Sequence, residues 1–415
     1  MGQGKLVPND VSLTWPEELR NAAKHGKWDE SSWQPRVIEM KGETSERELK
    51  NLLEEETIRG VIDNYDEQYA ELIVSRRPGL YQSSYEEKVR ILEGELAEHH
   101  ADSHAWQKGS WVYYPWSGLL VHVIAREQFL ELRSTRNRNL ITAEEQKKLE
   151  AFNVACAGMS VGSNAAITVG ITGISQQLKL ADGAVISGSN LNRIVAGVSD
   201  VGLSKSLVIA RKLYEMNPYV TIERFGADIT PDNIADFFEK PWPIHAVVDE
   251  IDNLMVKVML RVEARKRGLP VVMVTDLGDS AMLDVERFDL DPNLPLFHGI
   301  VENVEDLLTK KVEKQEFLKY AMSIIGPKNA SIRTQESIMQ VGRELAVQPQ
   351  LGGAAIMAGS VVAYALRKIA LGEELKSGRT IISLDEALLE SHHTEAYRQQ
   401  HRATTEMMER AFGLL

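Results

Sequence analysis

Cysteine is nearly absent from this chain, whose 415 residues include a single one, Cys156. One cysteine cannot form an internal disulfide, and no Cys-x-x-Cys pair is available to bind zinc. Cys156 lies in a run of small and β-branched residues that is typical of a buried strand. We therefore expect it to pack in the core rather than to act as a nucleophile.

Positive charge is also scarce, because 47 lysines and arginines face 60 acids and leave a net charge of −13. Broad contact with nucleic-acid phosphates needs clustered cations, so we expect no nucleic-acid partner. No uninterrupted apolar run approaches the roughly 18 residues of a membrane helix. The first ten residues lack the apolar core of a secretion signal. These absences predict a cytoplasmic protein without a membrane partner.

What remains is ordinary for a folded chain, with 43% apolar and 26% charged residues. The length suits two domains better than one core. Changes in the pattern of helix and strand signals along the chain suggest three parts. We expect an N-terminal α+β domain over residues 1–130 that recognises a substrate or is accessory, an α/β domain over 131–390 and a helical tail over 391–415.

The first part carries signals for both helices and strands. Residues 45–48 and 84–87 both match a capping box, in which a serine and a glutamate satisfy the backbone donors of a helix start. Apolar residues at helical spacing follow each box, and the first series continues to Val61 and Ile62. Residues 111–114 and 119–124 flank a Pro-Trp-Ser-Gly turn. This pattern predicts a β-hairpin beside the helices.

From about residue 150 the chain alternates short β-branched runs with helical patterns. A first strand is predicted at 153–157, and a second strand ends at Asp182. Further strands are predicted at 220–225, 245–249 and 270–275, with helices between them. Such alternation predicts a doubly wound, mainly parallel sheet, in which ligands bind at the carboxyl ends of the strands. A helix rich in small residues from 348, an edge strand at 380–384 and a long polar helix from Asp385 follow. Residues 295–345 carry no motif that we can connect with chemistry.

Several polar residues stand near those strand ends. The turn with Gly158 and Gly162 has too few glycines for a full dinucleotide fingerprint, and no P-loop precedes Lys205. Phosphates would therefore be held by side chains, with Arg193 and Lys205 as the cations, unless these two belong to a solvated face. Asp182 could bond ribose hydroxyls or be a solvated acid at a strand end.

Asp252 follows a strand that itself ends in an acid. Two carboxylates three residues apart can hold magnesium, or one can hold it while the other fixes the loop. The alternative is that Asp252 caps the helix that follows, because aspartate is common near helix starts. The sequence leaves both interpretations open.

Four short segments, taken in order, resemble motifs of the ThiF/MoeB superfamily of adenylating enzymes, which includes ubiquitin-activating proteins. They are Arg-Ser-Thr-Arg-Asn at 133–137, Ser-Asn-Leu-Asn-Arg at 189–193, Asp-Glu-Ile-Asp-Asn at 249–253 and Pro-Gln-Leu-Gly-Gly at 349–353. The resemblance implies a Rossmann-like, ThiF-type fold that binds ATP and Mg²⁺, with no zinc expected. The superfamily's glycine loop would correspond to Gly158 and Gly162.

The same resemblance assigns roles to individual residues. Asp182 matches the ribose-binding acid, Asp252 matches the magnesium ligand, and Asn190, Arg193 and Lys205 match the phosphate contacts. Arg136 matches an arginine that family members insert into the active site of the partner subunit, which implies a homodimer. Arg193, Lys205, Asp252 and Arg136 would then be the catalytic set.

The implied function is an ATP-dependent adenylyltransferase that activates a carboxylate of a peptide, a ubiquitin-like protein or a small molecule. A peptide-modifying biosynthetic enzyme is one form of it. No cysteine follows the magnesium motif, so a thioester relay is not expected. One alternative is a catalytically silent scaffold of the same fold that binds a protein partner. An NAD-dependent oxidoreductase would share the sheet but would not account for Arg193 together with Lys205.

Overall fold

The structure is a computed structural model of the protein. It describes Pro16, Glu17 and residues 31–310 and 313–415. The first ten residues, on which the expectation about a secretion signal rests, lie outside the described residues. The described chain forms two compact units. The N-terminal unit comprises residues 31–147 and 213–220, and the sheet unit comprises residues 148–212 and 221–415. Residues 131–147 therefore group with the N-terminal unit, and the C-terminal tail groups with the sheet unit.

The N-terminal unit is built on a four-stranded sheet with the order β1-β3-β4-β2. Its strands are β1 (Arg36–Glu39), β2 (Gly60–Asp63), β3 (Ser110–Tyr114) and β4 (Leu119–Val123). Its helices are α1 (Glu43–Glu55), α2 (Tyr65–Arg76), α3 (Tyr85–His99) and α4 (Arg126–Ser134), and α5 (Ala143–Glu150) begins in this unit and ends in the sheet unit. Strands β3 and β4 form the predicted antiparallel hairpin, while β2 pairs with β4 in parallel.

The two predicted helix starts fare differently. Ser84 caps α3 by accepting a hydrogen bond from the Glu87 N–H at 3.2 Å, which confirms the predicted helix start and the serine half of the capping box. The first prediction was wrong, because Ser45 lies inside α1 and donates its hydroxyl proton to the Gly42 carbonyl at 2.7 Å. Val61 and Ile62 do not continue that helix but lie in β2. Pairing with β4 overrides their helical spacing, which shows that local periodicity yields to tertiary context.

The sheet unit contains a seven-stranded sheet with the order β11-β10-β9-β8-β5-β6-β7. Its strands are β5 (Val154–Ala157), β6 (Gln177–Ala181), β7 (Thr221–Phe225), β8 (Ala246–Asp249), β9 (Val271–Asp276), β10 (Ser280–Glu286) and β11 (Gly378–Ser383). Strands β5 to β9 are parallel, and β10 and β11 are antiparallel to their neighbours. The predicted doubly wound, mainly parallel sheet is confirmed.

Helices surround this sheet. They are α6 (Val161–Thr172), α7 (Lys205–Met216), α8 (Ile234–Glu239), α9 (Leu254–Arg267), α10 (Lys314–Ile325), α11 (Ile332–Gln340), α12 (Gly352–Ala370), α13 (Leu384–Leu388) and α14 (Glu395–Ala411). The described part of residues 295–345, which the sequence left unassigned, contains α10, α11 and short 3₁₀ turns. The predicted long polar helix from Asp385 is wrong in its start, since a 3₁₀ turn at Glu390–His393 separates α13 from α14.

Helix α12 is more apolar than the search for uninterrupted runs indicated. By length and composition alone it could cross a membrane. Glycine and serine interrupt its apolar residues, but the mean hydropathy of the stretch is still 1.3. Half of that stretch is buried, with α12 packed against α6 and against β9 and β10. Burial of this kind is also typical of the core helix of a compact domain.

The strand order places a topological switch beside β5, because the chain leaves β5 for β6 on one side and later returns to β8 on the other. Ligands of doubly wound sheets bind at such a switch, outside the carboxyl ends of the strands. β5 itself lies in the core, and Cys156 is fully buried there. Burial raises the pKa of its thiol to about 12, so Cys156 is a core residue, as predicted.

Candidate functional site

Three acids stand at the carboxyl edge of the parallel strands. Asp182 follows β6, Asp249 ends β8 and Asp276 ends β9. Since the carboxyl ends of parallel strands meet at one edge of the sheet, these acids share that edge with the loop after β5.

Asp182 is held by the backbone on both of its carboxylate oxygens. Its Oδ2 accepts a hydrogen bond from the Met159 N–H at 2.7 Å, and its Oδ1 accepts one from the Ala184 N–H at 2.7 Å. The Nζ atom of Lys205 lies 4.0 Å from Oδ2. The side chains of Lys205 and Asp182 are only 14% and 11% exposed, so Asp182 is not a solvated acid at a strand end.

The two glycines after β5 lie against the loop that follows β8. Gly158 has φ +89°, and a Cβ atom there would lie 2.3 Å from the Glu250 carbonyl oxygen. A Cβ on Gly162 would lie 3.0 Å from the Glu250 Cβ. The glycines thus let two loops approach closely at the switch point. Helix α6 begins between them at Val161, so its N-terminus, a favourable position for an anion, faces the same edge.

Glu250 ties these loops to β9. Its Oε1 accepts a hydrogen bond from the Val274 N–H at 2.8 Å. Removal from water raises the pKa of this carboxyl well above its ordinary value, an effect that Lys257 opposes and that Asp249 and Asp276 reinforce. Glu250 therefore holds the loop after β8 against β9 at the candidate site.

Arg193 is positioned by neutral groups. Its Nε donates to Ser160 Oγ at 3.2 Å, and its Nη1 donates to the Ser189 carbonyl at 3.2 Å and to Asn192 Oδ1 at 2.9 Å. None of these partners is a carboxylate, so they orient the guanidinium without neutralising it. Asn164 also holds the Arg193 carbonyl by a hydrogen bond of 2.8 Å.

Asn190 shapes the loop that carries Arg193. The residue is buried, and its Oδ1 accepts a hydrogen bond from the Ser187 N–H at 3.0 Å. Its side-chain oxygen is therefore engaged within the loop, while a role of Asn190 as a phosphate contact stays a prediction.

Asp252 is exposed and does not cap the helix after β8. The cap of α9 is Asn253, whose Oδ1 accepts a hydrogen bond from the Met255 N–H at 3.0 Å. The alternative interpretation of Asp252 as a helix cap is therefore wrong. Its carboxylate makes no hydrogen bond or ion pair with other groups in the described part of the chain.

Asp276 completes the edge and was missed by the sequence analysis. Its Oδ1 accepts a hydrogen bond from Gln350 Nε2 at 3.2 Å, while its Oδ2 is buried without a partner among the described residues. Burial raises the pKa of Asp276, the charge of Arg193 lowers it and the charge of Asp252 raises it. The signal in the sequence was the one that identified Asp182, an acid at the end of a β-branched run.

The segment before α12 joins the two sides of the site. The Gln350 carbonyl accepts a hydrogen bond from Asn192 Nδ2 at 2.8 Å, while its side chain reaches Asp276. A Cβ on Gly352 would lie 2.3 Å from the Asn192 carbonyl oxygen. The Pro-Gln-Leu-Gly-Gly motif thus packs directly on the loop that carries Arg193.

A buried ion network supports the end of β8. Asp249 Oδ2 contacts Arg261 Nη1 and lies 3.3 Å from Lys257 Nζ. Arg261 Nε donates to Glu286 Oε2 at 2.6 Å, and its guanidinium lies 3.9 Å from the centre of the Phe297 ring. Burial opposes ionisation of Asp249, but the Lys257 and Arg261 cations outweigh it and lower its pKa. The network fixes the strand from which the loop with Asp252 departs.

Arg136 lies elsewhere in the chain, in a 3₁₀ turn at Thr135–Asn137 of the N-terminal unit, where it is exposed. The structure thus gathers Asp182, Arg193, Lys205, Asp252, Gly158 and Gly162 on elements of the sheet unit. The role of Arg136 concerns a partner subunit and stays a prediction.

Comparisons with known proteins found a family model and several relatives. The model of the ThiF family matches residues 134–403. An uncharacterized protein of Mycobacterium tuberculosis (strain CDC 1551 / Oshkosh) is 36% identical over 278 residues, which are 67% of this chain and 38% of that protein. The tRNA threonylcarbamoyladenosine dehydratase of Escherichia coli (strain K12) is 26% identical over 175 residues, which are 41% of this chain and 61% of that protein.

Solved structures were matched as well. The crystal structure of E. coli MccB with ATP is 18% identical, with a TM-score of 0.40, and the match covers 58% of this chain and 63% of that one. The crystal structure of E. coli tRNA N6-threonylcarbamoyladenosine dehydratase is 20% identical, with a TM-score of 0.41, and covers 58% of this chain and 95% of that one.

The chain spans well under half of the M. tuberculosis relative and 61% of the E. coli dehydratase. The family model nevertheless covers more than half of the chain described above, from before β5 into α14. The protein therefore belongs to the ThiF family.

Proposed function

We propose that this protein is an ATP-dependent adenylyltransferase that activates a substrate carboxylate and releases pyrophosphate. The observation that carries the proposal is the arrangement around Asp182 and Arg193. An oriented acid, two cations and a free carboxylate stand at the switch point of a parallel sheet, where nucleotides bind in such folds. The side chain of Lys205 is only 14% exposed, and the hydrogen bonds of Arg193 leave its charge unneutralised.

The donor set fits ATP and magnesium. Asp182 supplies oxygen acceptors for ribose hydroxyls, and its backbone hydrogen bonds leave lone pairs on both oxygens. Arg193 and Lys205 supply donors for phosphate oxygens. Carboxylate oxygens such as those of Asp252 are the ligands that Mg²⁺ prefers, and a bound ion would offset phosphate charge there.

The reaction follows from this arrangement. An oxygen of the substrate carboxylate would attack the α-phosphorus of ATP, a new P–O bond would form, and the bond to pyrophosphate would break with its electron pair. Negative charge grows on the α-phosphoryl oxygens and on the leaving pyrophosphate. Arg193 and Lys205, already oriented before reaction, would stabilise it, and losing one such donor should cost about 3 kcal/mol.

The acyl-adenylate would pass directly to its next acceptor. Cys156 is fully buried and no cysteine follows Asp252 in the sequence, so a cysteine of this chain is not placed to form a thioester. We expect transfer to an amine, a sulfur carrier or an internal nucleophile.

The substrate carboxylate belongs to a peptide, a ubiquitin-like protein or a small molecule, and we propose that the N-terminal unit selects it. The E. coli relative is a dehydratase of a modified tRNA nucleoside, threonylcarbamoyladenosine. An RNA-borne carboxylate therefore enters the set of substrates to be tested, although the net charge of −13 disfavours broad contact with RNA. We propose in addition that the protein is a homodimer in which Arg136 reaches the partner's site.

The test is substrate-dependent exchange of labelled pyrophosphate into ATP. A panel of peptides, ubiquitin-like proteins, small carboxylates and modified tRNA should contain a compound that supports exchange by the wild-type protein. Asp252→Asn should lower that exchange at least about 100-fold, as for loss of one transition-state contact. Asp279→Asn, which changes an exposed acid in the β9–β10 turn, should leave it unaltered.

The opposite result would favour the scaffold. If the protein bound MgATP but no member of the panel supported exchange, a catalytically silent protein that keeps the fold for a partner would account for the data better than an enzyme.

A further inference from the structure

Asp276 carries a buried oxygen that lacks a partner. The residue is only 8% exposed, and its Oδ2 accepts no hydrogen bond among the described residues, whereas Oδ1 is held by Gln350. Burying a polar group without a partner costs free energy, and buried polar atoms in native proteins are nearly always satisfied. An oxygen that stays unsatisfied beside a ligand site therefore points to a ligand.

The strand order brings this oxygen to the same edge of the sheet as Asp252. β8 and β9 are parallel neighbours, with Val247 opposite Val271 and Val248 opposite Val272. β8 ends at Asp249, three residues before Asp252, and β9 ends at Asp276, while the Val274 N–H donates to Glu250 Oε1 at 2.8 Å and so ties the loop that carries Asp252 to β9. Neighbouring strands are about 4.8 Å apart, and the carboxyl ends of parallel strands meet at one edge of the sheet, so the two acids leave adjacent strands at the same edge.

The charges around Asp276 agree with that placement. Asp252 acts on its carboxyl as a like charge and Arg193 as an opposite charge, so both lie within electrostatic range. Two carboxylates within electrostatic range repel each other unless a cation offsets their charge, and Arg193 donates its hydrogen bonds elsewhere.

We propose that Asp276 is a second carboxylate ligand of the divalent cation that Asp252 holds, so that the metal site is formed by the ends of two strands. The inference rests on the proposed function, because nucleotide phosphates and water would complete the coordination. Among the described residues, no three or more acids, histidines or cysteines are grouped as a metal site. Mg²⁺ usually takes one or two carboxylates together with substrate phosphates, which suits a pair of acids.

Gln350 acts as a positioning residue in this arrangement. By donating to Oδ1, it turns Oδ2 away from itself and fixes the rotation of the carboxylate. Such outer contacts orient metal ligands in proteins and contribute to affinity for the metal.

The experiment measures Mn²⁺ binding by electron paramagnetic resonance in the full-length protein saturated with α,β-methylene-ATP. Asp276→Asn and Asp252→Asn should each weaken Mn²⁺ binding by about 10- to 100-fold, the range seen even for outer contacts of a metal site. Asp279→Asn, on the same hairpin, should bind Mn²⁺ as the wild type does. Affinity for the analogue in EDTA should be preserved in Asp276→Asn, which a general loss of structure would not allow.

Three outcomes separate the claims. Wild-type Mn²⁺ affinity in Asp276→Asn, together with weakened binding in Asp252→Asn, would overturn the second ligand and leave the proposed function intact. Parallel loss of Mn²⁺ binding and of metal-free nucleotide binding in Asp276→Asn would make the residue structural and overturn the inference. If the wild-type protein bound no analogue at all, the proposed function itself would fail.

Discussion

Lys179 is a cation inside the sheet and shows how burial acts on a single residue. It is fully buried in β6, and its Nζ donates to the Phe237 carbonyl at 2.9 Å. Removal from water lowers the pKa of Lys179 to about 8, although nearby acids oppose the effect. The strand that presents Asp182 thus contains an ionisable group whose charge is costly.

The stability of the protein should therefore depend on pH through Lys179. Because its pKa in the folded state lies below its ordinary value, its contribution to the free energy of unfolding is present above the ordinary pKa. That contribution is lost as pH falls towards about 8, the folded value. Lys179→Met should lack the rise in stability above pH 8 that the wild type shows. Urea unfolding in steps from pH 7.5 to 10.5 measures it.

Lys376→Met is the matched control, since its side chain is 83% exposed. If Lys179→Met and the wild type followed the same pH profile, the lysine would be charged in the fold and the account of its burial would be wrong.

Sequence reasoning reached most residues of the candidate site but not all. Asp182, Arg193 and Lys205 could be found because they stand at fixed distances from strand ends or in a short motif. Asp276 was missed because its partner Gln350 is 74 residues away, and only the folded chain shows that its other oxygen is unsatisfied. The reason for Gly158 and Gly162 was equally hidden, since it lies in contact with Glu250.

At the scale of elements, α12 connects packing with the site. A Cβ on Gly352 would clash with the Asn192 carbonyl oxygen. Further along the helix, a Cβ on Gly359 would lie 2.6 Å from the backbone of Asn164. Asn164 in turn holds the Arg193 carbonyl. Two glycines of one helix thus determine how closely it approaches the loop and helix that position the candidate phosphate contact.

Neighbouring glycines provide a test. Gly352→Ala should force α12 away from Asn192, disturb the Arg193 loop and lower both affinity for ATP and stability, by about 1–3 kcal/mol for overpacking. A Cβ on Gly353 would have no neighbouring atom within 4 Å. Gly353→Ala should therefore leave the free energy of unfolding unchanged or raise it by up to about 1 kcal/mol. Thermal melts with and without MgATP compare them. Equal behaviour of the two variants would show that the close approach is not needed.

The elements themselves were predictable where their patterns were local. Strands β5 to β9 and the helices between them follow from alternating β-branched and helical runs. Strand β10 was missed because it contains Asp284 and Glu286, which resemble surface residues in the sequence. Both are buried and paired, Asp284 with Arg379 at 2.9 Å and Glu286 with Arg261 at 2.6 Å. Charge that is neutralised by distant partners disguises a core strand.

At the scale of the whole molecule, the homodimer can be tested through Arg136. If Arg136 acts in the partner's site, Arg136→Ala and Asp252→Asn should each lack pyrophosphate exchange, because each removes part of every site. A mixture of the two should regain up to about a quarter of wild-type exchange, since half of the chains form mixed dimers with one complete site. A mixture that stayed inactive, although light scattering showed mixed dimers, would exclude action of Arg136 across the interface.

The central claim is that Arg193 and Lys205 bind the phosphates of ATP at the switch point of the sheet. Titration calorimetry with MgATP tests it without knowledge of the substrate. The wild-type protein should bind one nucleotide per chain. The Arg193→Met/Lys205→Met variant should bind it at least about 100-fold more weakly, as expected when charged hydrogen bonds are lost. The control variant Lys376→Met should bind it with wild-type affinity. No binding by the wild-type protein, or equal affinity in the double variant, would contradict the account.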